Sequence, residues 1–178
     1  MTACVDGLLL YHGRMVAKVN AETSVGHDHK QCIDTALARA EEICAERGLR
    51  LTPLRRHVLQ LVWAGHKPVG AYDILNALSS GGRRAAPPTV YRALDFLMDA
   101  GLVHRLDSLN AYIGCPDPAH AHSGQFLICR NCHDVVELDA GAINERIEAA
   151  AAAAGFEAER QMLEVRGICS RCAQQSSD

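Results

Sequence analysis

Four cysteines stand in two Cys-x2-Cys pairs, Cys129/Cys132 and Cys169/Cys172, with residues 133–168 between them. That interval is long enough to run out and return, so the pairs can meet. Four thiolates at the corners of a tetrahedron suit zinc, which has no geometric preference of its own and accepts soft sulfur. Four buried free thiols would not need the paired spacing. Such a site is closed and has no open position for a substrate, so its expected work is to hold a small domain together.

The other chemistry-bearing residues are basic. Overall charge is −3, but residues 1–49 carry −2, residues 50–106 carry +5 and residues 107–178 carry −6. A basic island inside an acidic chain points to one domain that meets an anionic polymer. The chain has 178 residues, 48% of them apolar and 22% charged, which suits one or two compact domains. No run approaches the ~18 apolar residues of a membrane span, and no basic flank and apolar core of a signal peptide begins the chain. A cytoplasmic protein is the expectation, and in the reducing cytosol eight cysteines read as metal ligands and core thiols, not as a disulfide framework.

The elements that must position these groups follow from periodicity. Ile33, Leu37, Ala40 and Cys44 recur at helical spacing and Gly48 follows as a C-terminal cap. Thr52-Pro53 starts a second helix with Leu54, Val58, Leu61 and Val62 in one stripe. A brief third helix spans residues 71–78. Pro87-Pro88-Thr89 opens a fourth, with Val90, Leu94, Leu97 and Met98 inward, Tyr91, Arg92 and Asp95 outward, and Gly101 at its close. Two strand-like runs, 102–106 and 111–114, joined by Asp107-Ser108-Leu109-Asn110, make a hairpin. Helices followed by such a wing predict a winged helix-turn-helix. Beyond a loop with Pro116 and Pro118 the pattern becomes strand, strand, alanine-rich helix and strand, a small α/β domain. The fold class is therefore α+β. The expected boundaries are an N-terminal extension over 1–29, flexible and with Met15 as an internal start, a winged-helix DNA-binding domain over 30–115, a hinge loop over 116–124 and a second domain over 125–178.

In a winged helix the N-terminal end of the last helix meets base edges. Arg92 there can bond a guanine through two donors, and Tyr91 can pack on a thymine methyl or hold a phosphate. Arg50, Arg55, Arg56, Arg83 and Arg84 are candidate phosphate clamps.

With Arg50-Leu51-Thr52-Pro53-Leu54-Arg55, Pro88-Thr89-Val90-Tyr91-Arg92-Ala93-Leu94-Asp95 and the two Cys-x2-Cys pairs, the chain resembles the ferric uptake regulator superfamily over about residues 30–173. Ala71-Tyr72-Asp73, the stretch from Pro87 to Leu97 and Phe126-Leu127-Ile128-Cys129-Arg130-Asn131-Cys132 are most similar to its zinc uptake regulator branch. The resemblance implies a homodimer, paired through the second domain, that represses zinc-acquisition genes on pseudo-palindromic double-stranded operator DNA when zinc is replete, with one or two dimers per operator. It implies base reading by Tyr72 and Arg92, so the set expected at DNA is Tyr72, Thr89, Tyr91, Arg92, Arg55 and Arg84. It also implies a regulatory zinc held by His104, Cys115, His122 and Glu137, which with the four-cysteine site makes two zinc ions per subunit. A sensor needs ligands on both sides of a hinge, because a metal moves a two-state equilibrium only through different affinity for its two arrangements. The thiolate of Cys115 favours zinc over ferrous iron.

Other readings remain open at this level. His120 is two residues from His122 and can replace it. His27, Asp28, His29 and Cys32 form either an accessory metal site or a polar tail, His133 is exposed or supports the cysteine knuckle, Cys44 reads as helix packing and Cys4 has no assigned role. An iron- or peroxide-responsive regulator can use the same scaffold. A zinc hydrolase or deaminase needs an open metal position with a general base beside it, and neither His-x-Glu nor His-Glu-x-x-His occurs. No enzymatic activity is expected.

Overall fold

The computed structural model describes residues 3–5, 8–11, 14–18, 29–65, 67–80, 86–119, 124–138, 141–159 and 161–175, with side chains from Lys30 onward. It divides into two compact units, residues 26–121 and residues 1–25 together with 122–178.

Among the described residues, four α-helices and a three-stranded sheet build the first unit. Helix α1 (His29–Glu46) ends where Gly48 adopts φ +64, with Gly48 N–H donating to Ala45 O and Leu49 N–H to Cys44 O, the paired bonds of a Schellman cap. Helix α2 (Pro53–Trp63) is capped by the Thr52 side chain, which accepts from Arg55 N–H, and Pro53 occupies the first turn. Its fully buried residues are Val58, Leu59 and Val62, while Leu54 and Leu61 are half-buried. Helices α3 (Ala71–Ser80) and α4 (Pro87–Asp99) follow after β4 (Val69–Gly70). In α4 the inward stripe is Val90, Ala93, Leu94 and Leu97, and Met98 is half-buried. Gly101, at φ +72, gives α4 the same double cap through Gly101 N–H to Met98 O and Leu102 N–H to Leu97 O.

The wing is β5 (Val103–Leu106) and β6 (Ala111–Gly114), antiparallel, with a short 3-10 turn at Asp107–Leu109 and Asn110 in the left-handed region at φ 47 between them. The hairpin is wider than its sequence suggests. β4 adds to the free side of β6, pairing Val69 with Tyr112 and Gly70 with Ala111, so the order is β4-β6-β5. Two residues are too few to show a strand period. The core of this unit joins α1 through α4 to the hairpin through Leu37, Ile43, Val58, Ile74, Leu94 and Val103. Burial raises the thiol of Cys44, which sits in that core as helix packing.

The second unit is a mixed sheet with one long helix. β7 (Gly124–Cys129) lies between antiparallel β8 (Val135–Glu137) and parallel β9 (Met162–Gly167), with α5 (Gly141–Ala153) in the β8 to β9 connection and α6 (Ser170–Gln175) after β9. The N-terminal extension, expected to be flexible, holds β1 (Ala3–Val5), β2 (Leu8–Tyr11) and β3 (Arg14–Lys18), a meander that joins the sheet at β8 through Lys18 opposite Glu137. Strands of three to five residues give too few alternations to be read from composition. No described helix is long and apolar enough to cross a membrane.

Candidate metal centre and nucleic-acid interface

The two cysteine pairs meet. Parallel pairing of β7 with β9 places Cys129 opposite Gly167, so the chain leaving each strand carries its pair to the same end of the sheet. The four sulfurs all lie within 4.8 Å of one another, and those of Cys132 and Cys169 are 3.7 Å apart. Zinc with bonds of about 2.3 Å to a sulfur tetrahedron needs sulfurs about 3.8 Å apart, so the cluster fits the ion with little adjustment. Among the described residues it is the group whose donor atoms converge in this way.

Local bonds shape the knuckle. His133, exposed and at φ 58, donates its N–H to Cys129 O, and Cys129 N–H donates to Asp134 O. Arg171 of α6 pairs with Asp134 and points a second contact at the Cys132 sulfur, 3.7 Å away. Backbone N–H groups of Cys132 and Cys169 aimed at the Cys129 sulfur favour its thiolate and lower it to about 6. Cys172, crowded by the sulfurs of Cys169, Cys132 and Cys129, is pushed up to about 12. Four thiols at this distance cannot all ionise by themselves; a divalent cation is the partner that lets them.

The residues expected to sense metal fall in both units. His104 lies on β5, 7% exposed, and Cys115 directly follows β6, 3% exposed. Register relates them: His104 stands opposite Ile113 while Cys115 N–H donates to Leu102 O, so His104 and Cys115 are diagonal neighbours on one face of the hairpin. An imidazole and a thiol so placed can share one ion. Trp63 packs so close to Gly114 that a Cβ there would sit 2.3 Å from the indole, and this fixes the backbone just before Cys115. Glu137 lies on β8 in the other unit, opposite Phe126 and 6% exposed, on the inward face it shares with Val135. His122, its rival His120, and His27 lie outside the described residues, as does the side chain of His29; Cys32 is half-buried on α1.

The surface expected at DNA is presented by α3 and α4. Tyr72 on α3 is 66% exposed, and Thr89, Tyr91 and Arg92 are exposed at the start of α4. The cap residue of α4 is Ala86, which offers no side-chain acceptor; Pro87 and Pro88 have no N–H to satisfy, and the Thr89 N–H donates to Ala86 O at 2.9 Å. Arg55 stands elsewhere than a free clamp does. Its guanidinium lies 3.5 Å over the Phe96 ring of α4 and donates to Arg50 O at 2.7 Å, so it joins α2 to α4. Arg56 pairs with Glu41 at 2.8 Å. Arg83 and Arg84 lie outside the described residues.

The chain is similar to known proteins over most of its length. Residues 46–166 match the ferric uptake regulator family; the matched range ends just before Cys169 and Cys172. The zinc uptake regulation protein of Escherichia coli is 40% identical over 141 residues, 78% of this chain and 81% of that one. A solved zinc uptake regulator complexed with zinc and DNA superposes with a TM-score of 0.78 at 37% identity, covering 82% of this chain and 98% of the other. The crystal structure of holo XcZur gives 0.74 at 47% identity, over 79% of this chain and 99% of the other. With most of its length matched and a relative this similar, the chain belongs to the ferric uptake regulator family.

Proposed function

We propose that the protein is a zinc-responsive transcriptional regulator, mainly a repressor of zinc-uptake genes, that binds pseudo-palindromic operator DNA in the cytoplasm as a zinc-loaded homodimer. One observation carries the reading: the wing of the DNA-reading unit holds a buried imidazole and a buried thiol, His104 and Cys115, on one face. A soft ligand there places metal capture on the same hairpin that follows the reading helix. His122 and Glu137 complete the ligand set from the other unit, and the four-cysteine cluster holds a second ion, giving two zinc ions per subunit. Zinc supplies a cation that four donors from two units can share, which restricts their arrangement. The protein's own residues do the reading: Arg92 and Tyr72 at base edges, Thr89 and Tyr91 at the helix start, Arg84 on phosphate and Arg55 as a brace behind α4. It is a binding protein, not an enzyme, because the cysteine cluster already offers four protein donors and leaves no position for substrate.

The test is metal selectivity of operator binding. A duplex selected from a random library by the zinc-loaded protein is titrated at fixed salt with the protein carrying zinc, manganese or ferrous iron at the second site. The expected result is tight binding with zinc and weaker binding with the others, and the stoichiometry counts one or two dimers per duplex. Tightest binding with ferrous iron, or a response to peroxide, sinks the zinc reading. On the same duplex, Arg92→Ala is expected to cost about 1–3 kcal/mol and to relax the preference at one base pair per half-site. An equal loss on all sequences would reduce Arg92 to a phosphate contact.

Pairing of subunits has a ready surface. Helix α5 has no buried residue, and Ile143, Ile147, Leu127, Val165, Ile168 and Phe156, the last 69% exposed, crowd the second unit with apolar surface. We assign this face to the homodimer. Ile147→Asp combined with Phe156→Asp should raise the dimer dissociation constant at least about 30-fold, roughly 2 kcal/mol, as read by sedimentation. An unchanged dimer would place the interface elsewhere.

A further inference from the structure

Arg39 on helix α1 and Arg47, the residue directly after it, serve neither the DNA surface nor the metal ligands. Arg39 Nη1 donates to Pro116 O at 3.2 Å and its guanidinium pairs with Asp117 at 3.7 Å. Arg47 Nη1 donates to Ala100 O at 3.0 Å, and its Nη2 reaches Pro118 O at 3.5 Å. Residues 116–118 follow Cys115 directly, and Ala100 is the C-terminal cap of α4. One guanidinium therefore holds two carbonyls with different owners, the segment leaving the Cys115 position and the end of the reading helix.

The chemistry suits the task. A guanidinium has five donors in a rigid fork and can serve two carbonyls at once, which an ammonium on a flexible stem cannot do with the same geometry. The Ala100 carbonyl is one of those a helix leaves without an intrahelical partner, at the negative end of its dipole, where a cation is favoured. The segment it is tied to is stiff, since Pro116 and Pro118 have fixed φ and Pro118 is buried. A shift at Cys115 is therefore passed along the segment instead of being absorbed by it.

We propose that Arg47 is a positioning residue that couples the setting of the Cys115–Pro118 segment to the C-terminal end of α4, with Arg39 holding the near end of that segment. The proposal rests on the reading of Cys115 as a regulatory zinc ligand.

The test uses the full-length dimer with its cysteine-cluster zinc retained. Operator affinity is measured at one salt concentration with the second site filled by zinc and emptied by a mild chelator, for the wild type, Arg47→Met and Arg47→Lys. The ratio of the two affinities is the coupling factor. Arg47→Met is expected to lower that factor about 3- to 30-fold, while zinc-depleted operator affinity stays within about twofold of wild type and the cobalt-thiolate absorption of the second site is unchanged. Arg47→Lys should recover only part of the factor. A factor equal to wild type in Arg47→Met overturns the proposal. So does a parallel fall in zinc-depleted affinity and melting temperature, which marks a brace of the fold. A wild-type factor of one overturns instead the regulatory reading on which the proposal rests.

Discussion

Cys129→Ser is expected to cost the second unit its fold as well as its metal. The unit's buried core is thin among the described residues, consisting of Phe126, Ile128, Val135 and the cysteines Cys129 and Cys172, with the polar Gln125 and Glu137 buried beside them. Helix α5 contributes nothing fully buried. A core this small does not offset the conformational entropy of ordering the strands around it. Structural zinc in small domains supplies an apparent ~10–16 kcal/mol of folding energy near neutral pH, far more than these few side chains. The cluster is also where β7, β9 and α6 are tied together, through Cys129, Cys169 and Cys172. Zinc content of the variant should fall by one ion per chain, amide protection in β7 and β9 should collapse, and the dimer should dissociate. The first unit should persist, because its core of helix and hairpin residues is independent of the cluster. Full protection of β7 and β9 in Cys129→Ser would show that the cluster is not what holds this unit.

Cys115→Ser should have the opposite profile. The residue is buried, but the change removes only a sulfur's bulk and softness, and the hairpin bonds around it are made by backbone: Cys115 N–H to Leu102 O and the β5–β6 ladder. The fold should survive with one zinc per chain. What disappears is the response, because a hydroxyl is a poor zinc ligand beside a thiolate and the ion then gains little by choosing one arrangement of the units over another. Operator affinity in excess zinc should drop to the zinc-free value, a fall of about 5- to 150-fold on the usual scale of allosteric coupling. A variant that still responds fully to zinc would remove Cys115 from the site.

Much of this was legible in the residues, and for local reasons. Thr52-Pro53 marks a helix start whose cap bond forms as the residue types require, and Gly48 and Gly101 stand where two helices need a positive φ. The cysteine cluster could be read because each pair is a local signal and only the return of the chain had to be inferred. The relation of His104 to Cys115 could not, since it depends on the register of β5 against β6, which the four-residue turn leaves open. Arg55 and Arg56 illustrate another limit. Composition marks them as basic, but only the packing of α2 against α4 and α1 shows that one lies on Phe96 and the other on Glu41. β4 and α6 are too short for any period to show.

The central claim is that metal capture and DNA binding in this regulator are one linked equilibrium. Linkage makes it reciprocal: if zinc tightens the hold on the operator by some factor, the operator must tighten the hold on zinc by the same factor. The direct measurement is the zinc affinity of the second site, by competition with a chelating dye, with and without saturating operator duplex at one ionic strength, since salt alone shifts DNA affinity steeply. The expected result is tighter zinc binding on DNA, by a factor equal to that measured in the converse titration; identical zinc affinities with and without operator would contradict it.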